Sequence, residues 1–204
     1  PIPVPEKVGG IDAGTTFESV PISDIIDALL YPFNVSLSVS PNVAEFGSVI
    51  DNPVLSFPLK AGATYSINRG IGPVAASPVV SDELGIIATT TWTITGMLGA
   101  TARNASATLQ FLNRIYFGVT PNTPHPTDAE ILAAPNQLSN SKARSVNYDC
   151  SGGRRYWIAY PARLGPMTAI RVNGLPNNAF QIVTRPLTNA LGFTEDYTIY
   201  SSNN

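Results

Sequence analysis

Phe33-Asn34-Val35-Ser36-Leu37-Ser38-Val39-Ser40 decides the fold class. Four apolar side chains alternate with four polar ones without an exception. A period of two puts the apolar set on one face of a strand and the polar set on the other. The same period recurs downstream. Ile86, Ala88, Trp92 and Ile94 share one face, opposite Thr89, Thr91, Thr93 and Thr95, whose β-branched side chains suit the exposed side of a pleated surface. Ala107, Leu109, Phe111, Ile115 and Phe117 mark another long strand. Residues 54–59 form a shorter one, which Pro58 confines to an edge or an end. Strands at 156–160, 168–172, 180–184 and 197–200 continue the series. Short strands separated by Pro, Gly and Asn turns predict an all-β fold: an immunoglobulin-like β-sandwich over 33–119 and a C-terminal β unit over 146–204. Whether the two share a core is left open by the pattern. The predicted buried set is Val35, Leu37, Val39, Trp92, Ile94, Leu109, Phe111 and Ile115.

Around these strands lie less regular stretches. Residues 1–32 read as a Pro- and Gly-punctuated lead-in followed by one short N-terminal helix at about 23–30. Ile22, Ile25, Ile26, Leu29 and Leu30 recur there at helical spacing, Ser23 suits the N-cap, Asp24 suits the positive end of the dipole, and Pro32 stops the helix. A helix of about two turns must be held by packing. Residues 120–145 read as a connecting segment over the surface, with one or two helical turns at 127–133.

Composition excludes several classes. The 204 residues are 44% hydrophobic and 13% charged, with 16 Gly and 18 Pro. That charge content is well below the usual quarter, which excludes a solvated disordered chain, and so many breakers exclude a coiled coil. No run of about 18 apolar residues occurs, so no membrane-spanning helix is expected. The lone Cys150 excludes an intrachain disulfide. The start Pro1-Ile2-Pro3-Val4 lacks the regions of a signal peptide, and beginning without Met fits a removed initiator or a processed piece. The sequons at Asn34 and Asn104 are short patterns expected by chance.

Charge is unevenly placed. Residues 1–100 hold three basic residues against nine acidic, and residues 101–204 hold nine against five. The basic half is too dilute for nucleic-acid binding. It reads either as solvated surface arginine or as one end of a subunit that stacks on acidic ends of its copies.

The catalytic inventory is thin. The single His125 sits between Pro124 and Pro126 and reads as a surface loop residue, not as the base of a triad. No spacing of His, Cys and carboxylates suits a metal, and no cofactor is implied. Arg154-Arg155 beside Asp149-Cys150 could lower the thiol pKa, although an inert Cys is the commoner case. Asp82-Glu83 and Glu195-Asp196 are adjacent pairs whose members point to opposite faces of a strand. Gly9-Gly10 and Gly152-Gly153 are turn glycines. The densest unusual segment is Arg154-Arg155-Tyr156-Trp157-Ile158-Ala159-Tyr160. One face of that strand packs a core, and Tyr156, Trp157 and Tyr160 beside the two arginines could also serve an interface or a sugar-binding surface.

Several segments together resemble bacteriophage virion structural proteins, the β-module components of fibre, baseplate, neck or capsid-attached parts. They are Gly9-Gly10-Ile11-Asp12-Ala13-Gly14-Thr15-Thr16-Phe17, Asp24-Ile25-Ile26-Asp27-Ala28-Leu29-Leu30-Tyr31-Pro32 and Phe111-Leu112-Asn113-Arg114-Ile115-Tyr116-Phe117-Gly118-Val119. The likeness continues in Tyr156-Trp157-Ile158-Ala159-Tyr160-Pro161, Leu164-Gly165, Val172-Asn173-Gly174, Thr188-Asn189, Gly192 and Tyr197-Thr198-Ile199-Tyr200-Ser201-Ser202-Asn203. It spans nearly the whole chain through short motifs in a specific order. The family often has Phe where this chain has Leu175, and Arg where it has Ser201; both changes bear on local contacts. The resemblance implies a non-enzymatic structural part of a virion, working in multiple copies with other virion proteins and without nucleic acid or membrane insertion. The alternative is a receptor-binding domain for host surface glycan.

Overall fold

The computed structural model describes residues 3–16, 21–30, 32–121, 124–149 and 154–203. In chain order its first elements are helix α1 (Ile22–Leu30) and strands β1 (Ser38–Ser40), β2 (Val43–Glu45), β3 (Val54–Ser56), β4 (Ala63–Ile67), β5 (Gly72–Val74), β6 (Val79–Val80), β7 (Thr90–Leu98) and β8 (Thr101–Thr120). Then come helix α2 (Asp128–Ala133), β9 (Asn136–Ser139), β10 (Arg155–Pro161), a 3-10 turn (Ala162–Leu164), β11 (Arg171–Val172), β12 (Leu175–Pro176), β13 (Phe180–Thr188) and β14 (Thr194–Ser202). The all-β expectation holds, and α1 is the longest helix described. Two compact units divide the chain: Pro1–Asn42, Asp51–Leu84 and Thr90–Leu109 in the first; Val43–Ile50, Gly85–Thr89 and Gln110–Asn204 in the second.

Unit 1 is sandwich-like. One antiparallel sheet runs β1-β3-β6 and another runs β5-β4-β7 onto the first part of β8. Leu55, Trp92, Ile94 and Leu109 are fully buried between the layers. Tyr65 carries the aromatic packing, with its ring 5.2 Å from Phe57 and 6.5 Å from Phe33. Gly96 lets these layers meet, because a Cβ there would come within 2.7 Å of Val35 and 2.9 Å of the Phe33 ring. The outer face of β7 and β8 is hydroxyl-bearing, with Thr91 bonded to Thr108 at 2.8 Å and Thr93 to Ser106 at 2.9 Å. The lead-in docks on its own unit. Val4 and Thr15 close a small hairpin, Ile11 is buried, and Asp12 bridges Lys7 and Arg103.

Unit 2 covers both faces of its sheet, which runs β13-β14-β10 onto the second part of β8. Tyr116 of β8 pairs with Asn136 of β9 and with Ala159 of β10, so these strands flank it on opposite edges. One face buries Tyr116, Trp157, Ala159, Leu187, Tyr197 and Ile199 beneath Ile131 of α2. The other buries Ile115, Tyr160 and Tyr200 beneath Leu164, Met167, Ile170 and Phe180.

Several expectations need correction. Six of the predicted core residues are buried, whereas Val35 and Leu37 are only half-buried. Their segment alternates as expected, but the paired strand begins only at Ser38, so no ladder shields them. Ile86 is buried through an isolated bridge to Ile50, ahead of β7, and Ala88 is exposed. Of 168–172 only Arg171 and Val172 pair, because Asn173 and Gly174 both take positive φ and fold the chain into a tight hairpin with Leu175–Pro176. In α1, Ile25 and Leu29 turn inward while Ile22, Ile26 and Leu30 stay exposed. The segment 120–145 is more than a surface connection: Pro126 and Ile131 are fully buried, and β9 pairs with β8. The cap of α2 explains its position. Thr127 accepts from the Glu130 amide while Glu130 accepts from the Thr127 amide, a reciprocal capping box. The side chains of Ser23 and Asp24, and residues Cys150, Gly152 and Gly153, lie outside what is described.

Candidate functional site

The expected site on β10 is assembled but turned into structure. Tyr156 and Tyr160 share one face and Trp157 the other, as period two requires. Trp157 is 2% exposed and Tyr160 fully buried, so neither ring has a face free for a sugar, which corrects the stacking-platform reading of both. Gly118 makes room for the Trp157 indole, which a Cβ at that position would meet at 3.0 Å. The Tyr160 ring stacks on Tyr200, and burial together with the adjacent Tyr200 hydroxyl pushes the Tyr160 phenol well above its ordinary pKa. Tyr156 is half-buried. Its hydroxyl accepts from Asn177 at 2.9 Å, its ring stacks on Tyr148 at 6.2 Å, and Phe180 meets its edge. Arg155 is half-buried and directs a long bond of 3.4 Å to the Ser202 carbonyl. Arg154 is exposed.

The remaining basic residues of the C-terminal half are largely engaged inside the chain. Lys142 donates to the carbonyls of Leu164, Gly165 and Pro166 at 2.7, 2.9 and 2.6 Å, and lies over the Tyr160 ring. Arg144 lies over Phe117, Arg163 pairs with Glu195, and Arg185 pairs with Asp128 while donating to the Pro126 carbonyl. Arg103–Asp12 and Arg114–Glu45 join the basic half of the sequence to the acidic half within one chain.

A second constellation in unit 2 was not legible from the sequence. Glu45 accepts from Arg114 at 2.8 Å and from Asn189 at 3.1 Å, and Arg114 donates onward to Asn136 at 2.6 Å. Glu195 is held by Arg163 and by Asn113. The Tyr197 hydroxyl donates to the Arg114 carbonyl at 2.9 Å. Burial first, then the neighbouring Tyr116, Glu195 and Glu45, drives its pKa far up, so Tyr197 stays a neutral donor. Asn189 also organises the β13–β14 turn by accepting from the amides of Leu191 and Phe193. Gly47, at φ +98°, passes so close to that turn that a Cβ would meet Leu191 and Phe193 at 2.9 Å. Phe46 then stacks on Phe193 at 5.2 Å beneath the Arg163 guanidinium. The cleft beside Asn113, Asn189, Glu195 and Tyr197 holds about 10 Å³, the room of one water.

This arrangement binds charge to charge within unit 2. Each carboxylate of the network faces an arginine and an asparagine amide. His125 is half-buried, not a free surface residue, and its Nδ1 lies 3.1 Å from the Ser201 hydroxyl. Burial, then Arg185 and Arg155, lowers its pKa and keeps the ring neutral. Ser201 is itself fully buried. Among the described residues no three His, Cys, Asp or Glu side chains group as a metal site would require. No protein-family model matches the chain, and no curated protein matches it at a significant level.

Proposed function

We propose that the chain is a non-enzymatic structural component of a bacteriophage virion, in a tail, baseplate, neck or capsid-attached fibre, present in multiple copies. The carrying observation is the internal engagement of charge in unit 2, where Glu45, Glu195, Arg114, Arg163 and Lys142 all bond within the unit and fasten loops to the sheet. Such a network favours one rigid arrangement over a reactive or adaptable one. The order of motifs that resemble virion proteins supplies the setting. The glycan-binding alternative draws on what stays accessible of the β10 cluster, Arg154 with the half-buried Tyr148–Tyr156 stack, and has the weaker support. Mass spectrometry of purified virions from the encoding phage tests the proposal. The expected result is the chain at many copies per particle. Its absence from the particle, or turnover of host glycan by the purified chain, overturns it.

A further inference from the structure

β13 is the outermost strand of the unit 2 sheet, pairing with β14 on one side and with no strand on the other among the described residues. The direction of its backbone groups follows from the two ends of the hairpin. The Asn189 amide donates to the Phe193 carbonyl, and the Asn203 amide donates to the Ala179 carbonyl. Both pairs belong to the same register as the strand, so odd-numbered residues of β13 direct their N–H and C=O groups to β14. Even-numbered residues direct theirs outward. Pro186 fits this alternation, because its missing N–H falls on the outward side, where an edge strand tolerates proline. Ile182 and Thr184 therefore present complete, outward N–H and C=O pairs. The Ile182 side chain beside them is 56% exposed, and residues 180–184 carry no charge. None of the usual protections of an edge, a lysine, a bulge or a proline, falls within those five residues.

We propose that this edge pairs with the same edge of a second copy, antiparallel about a two-fold axis at Val183. Ile182 then lies opposite Thr184 of the second copy and exchanges both backbone bonds with it, and the symmetric pair does the same. Pro186 ends the ladder on each side. A second copy is the occupant that fits best, for two reasons. Contact between identical edges removes both free edges at once, whereas a foreign strand would satisfy this edge and leave its own outer edge open. The register also sets Arg185 opposite the neutral Gln181 of the second copy, so no like charges face each other. The inference concerns self-association alone and does not depend on the virion reading.

Sedimentation of the full chain across concentration, joined to amide exchange, tests it. The expected result is a monomer–dimer equilibrium in which the Ile182 and Thr184 amides become protected as dimer forms. Thr184→Pro deletes an outward N–H while keeping the bonds to β14, and should abolish the dimer. Ile182→Lys, at an exposed position, should do the same with an unchanged circular dichroism spectrum, and stands as the test if the proline variant misfolds. A wild-type chain that stays monomeric at every concentration overturns the proposal. So does a dimer that Ile182→Lys leaves intact, or one without protection at Ile182 and Thr184.

Discussion

Unit 1 and unit 2 use a sheet in opposite ways. In unit 1 the outer face of β7 and β8 is left to threonine and serine hydroxyls bonded across the strands, and the apolar side alone builds the core. In unit 2 the sheet is covered on both sides, by α2 on one and by residues 162–180 on the other. The first is stabilised by burying one face. The second buries both faces of β10, whose run from Tyr156 to Pro161 is apolar on both sides where a half-wet strand would alternate. The difference teaches that an aromatic cluster on a strand signals a binding surface only after the second face has been accounted for.

The largest expected effect comes from emptying the two cores. Trp157→Ala and Trp92→Ala should each cost about 3–5 kcal/mol in chemical denaturation. The milder Trp→Phe change separates them. The Trp92 indole donates to Glu83 at 3.1 Å, whereas the Trp157 nitrogen is buried without a partner among the described residues. Trp92→Phe should therefore be the more costly, by about 1 kcal/mol, and equal losses would break the distinction. Next comes the network. Glu195→Gln removes the charge that Arg163 faces, and should cost about 1–3 kcal/mol while leaving amide protection in unit 1 unchanged. Thr127→Ala removes half of the capping box over the α2 side of unit 2 and should cost about 1 kcal/mol.

Acid should reach unit 2 first. His125 has its pKa lowered below 6.5 in the folded chain, so below that pH the unfolded chain takes up the proton more readily and stability falls. Glu83 of unit 1, held low chiefly by Arg69, keeps its contribution until the pH drops below about 4.5. Amide exchange at Ile199 and Ile94 between pH 7 and pH 4 reads the two units separately. His125→Asn should flatten the earlier loss, and simultaneous weakening of both units would contradict the assignment. The smallest effect belongs to the bare face of unit 1, where Ser106→Ala should stay within about 0.5 kcal/mol.

Much of this contrast was legible in the sequence. The run from Phe33 gave the correct alternation, and Trp92, Ile94, Leu109, Phe111 and Ile115 are buried as the period requires. Tyr156-Trp157-Ile158-Ala159-Tyr160-Pro161 is a continuous apolar run, the mark of a strand buried on both faces, whereas period two alone reads it as having one face free. The Glu45–Arg114–Asn189 network could not be read, because Glu45 and Asn189 are 144 positions apart and only the fold brings them together. The adjacent pair Glu195-Asp196 was correctly split, with Glu195 turned into the network and Asp196 exposed.

The carbonyl cage around Lys142 has a consequence for reactivity. An acylating reagent must reach the nitrogen, and the Lys142 Nζ is enclosed by three carbonyl oxygens at hydrogen-bond distance with an aromatic ring alongside. Lys7, whose side chain is 60% exposed, has no such enclosure. Of the three lysines in the chain, Lys142 should therefore be the last to carry a label, and the moment it becomes labelled reports that the turn at residues 162–166 has opened.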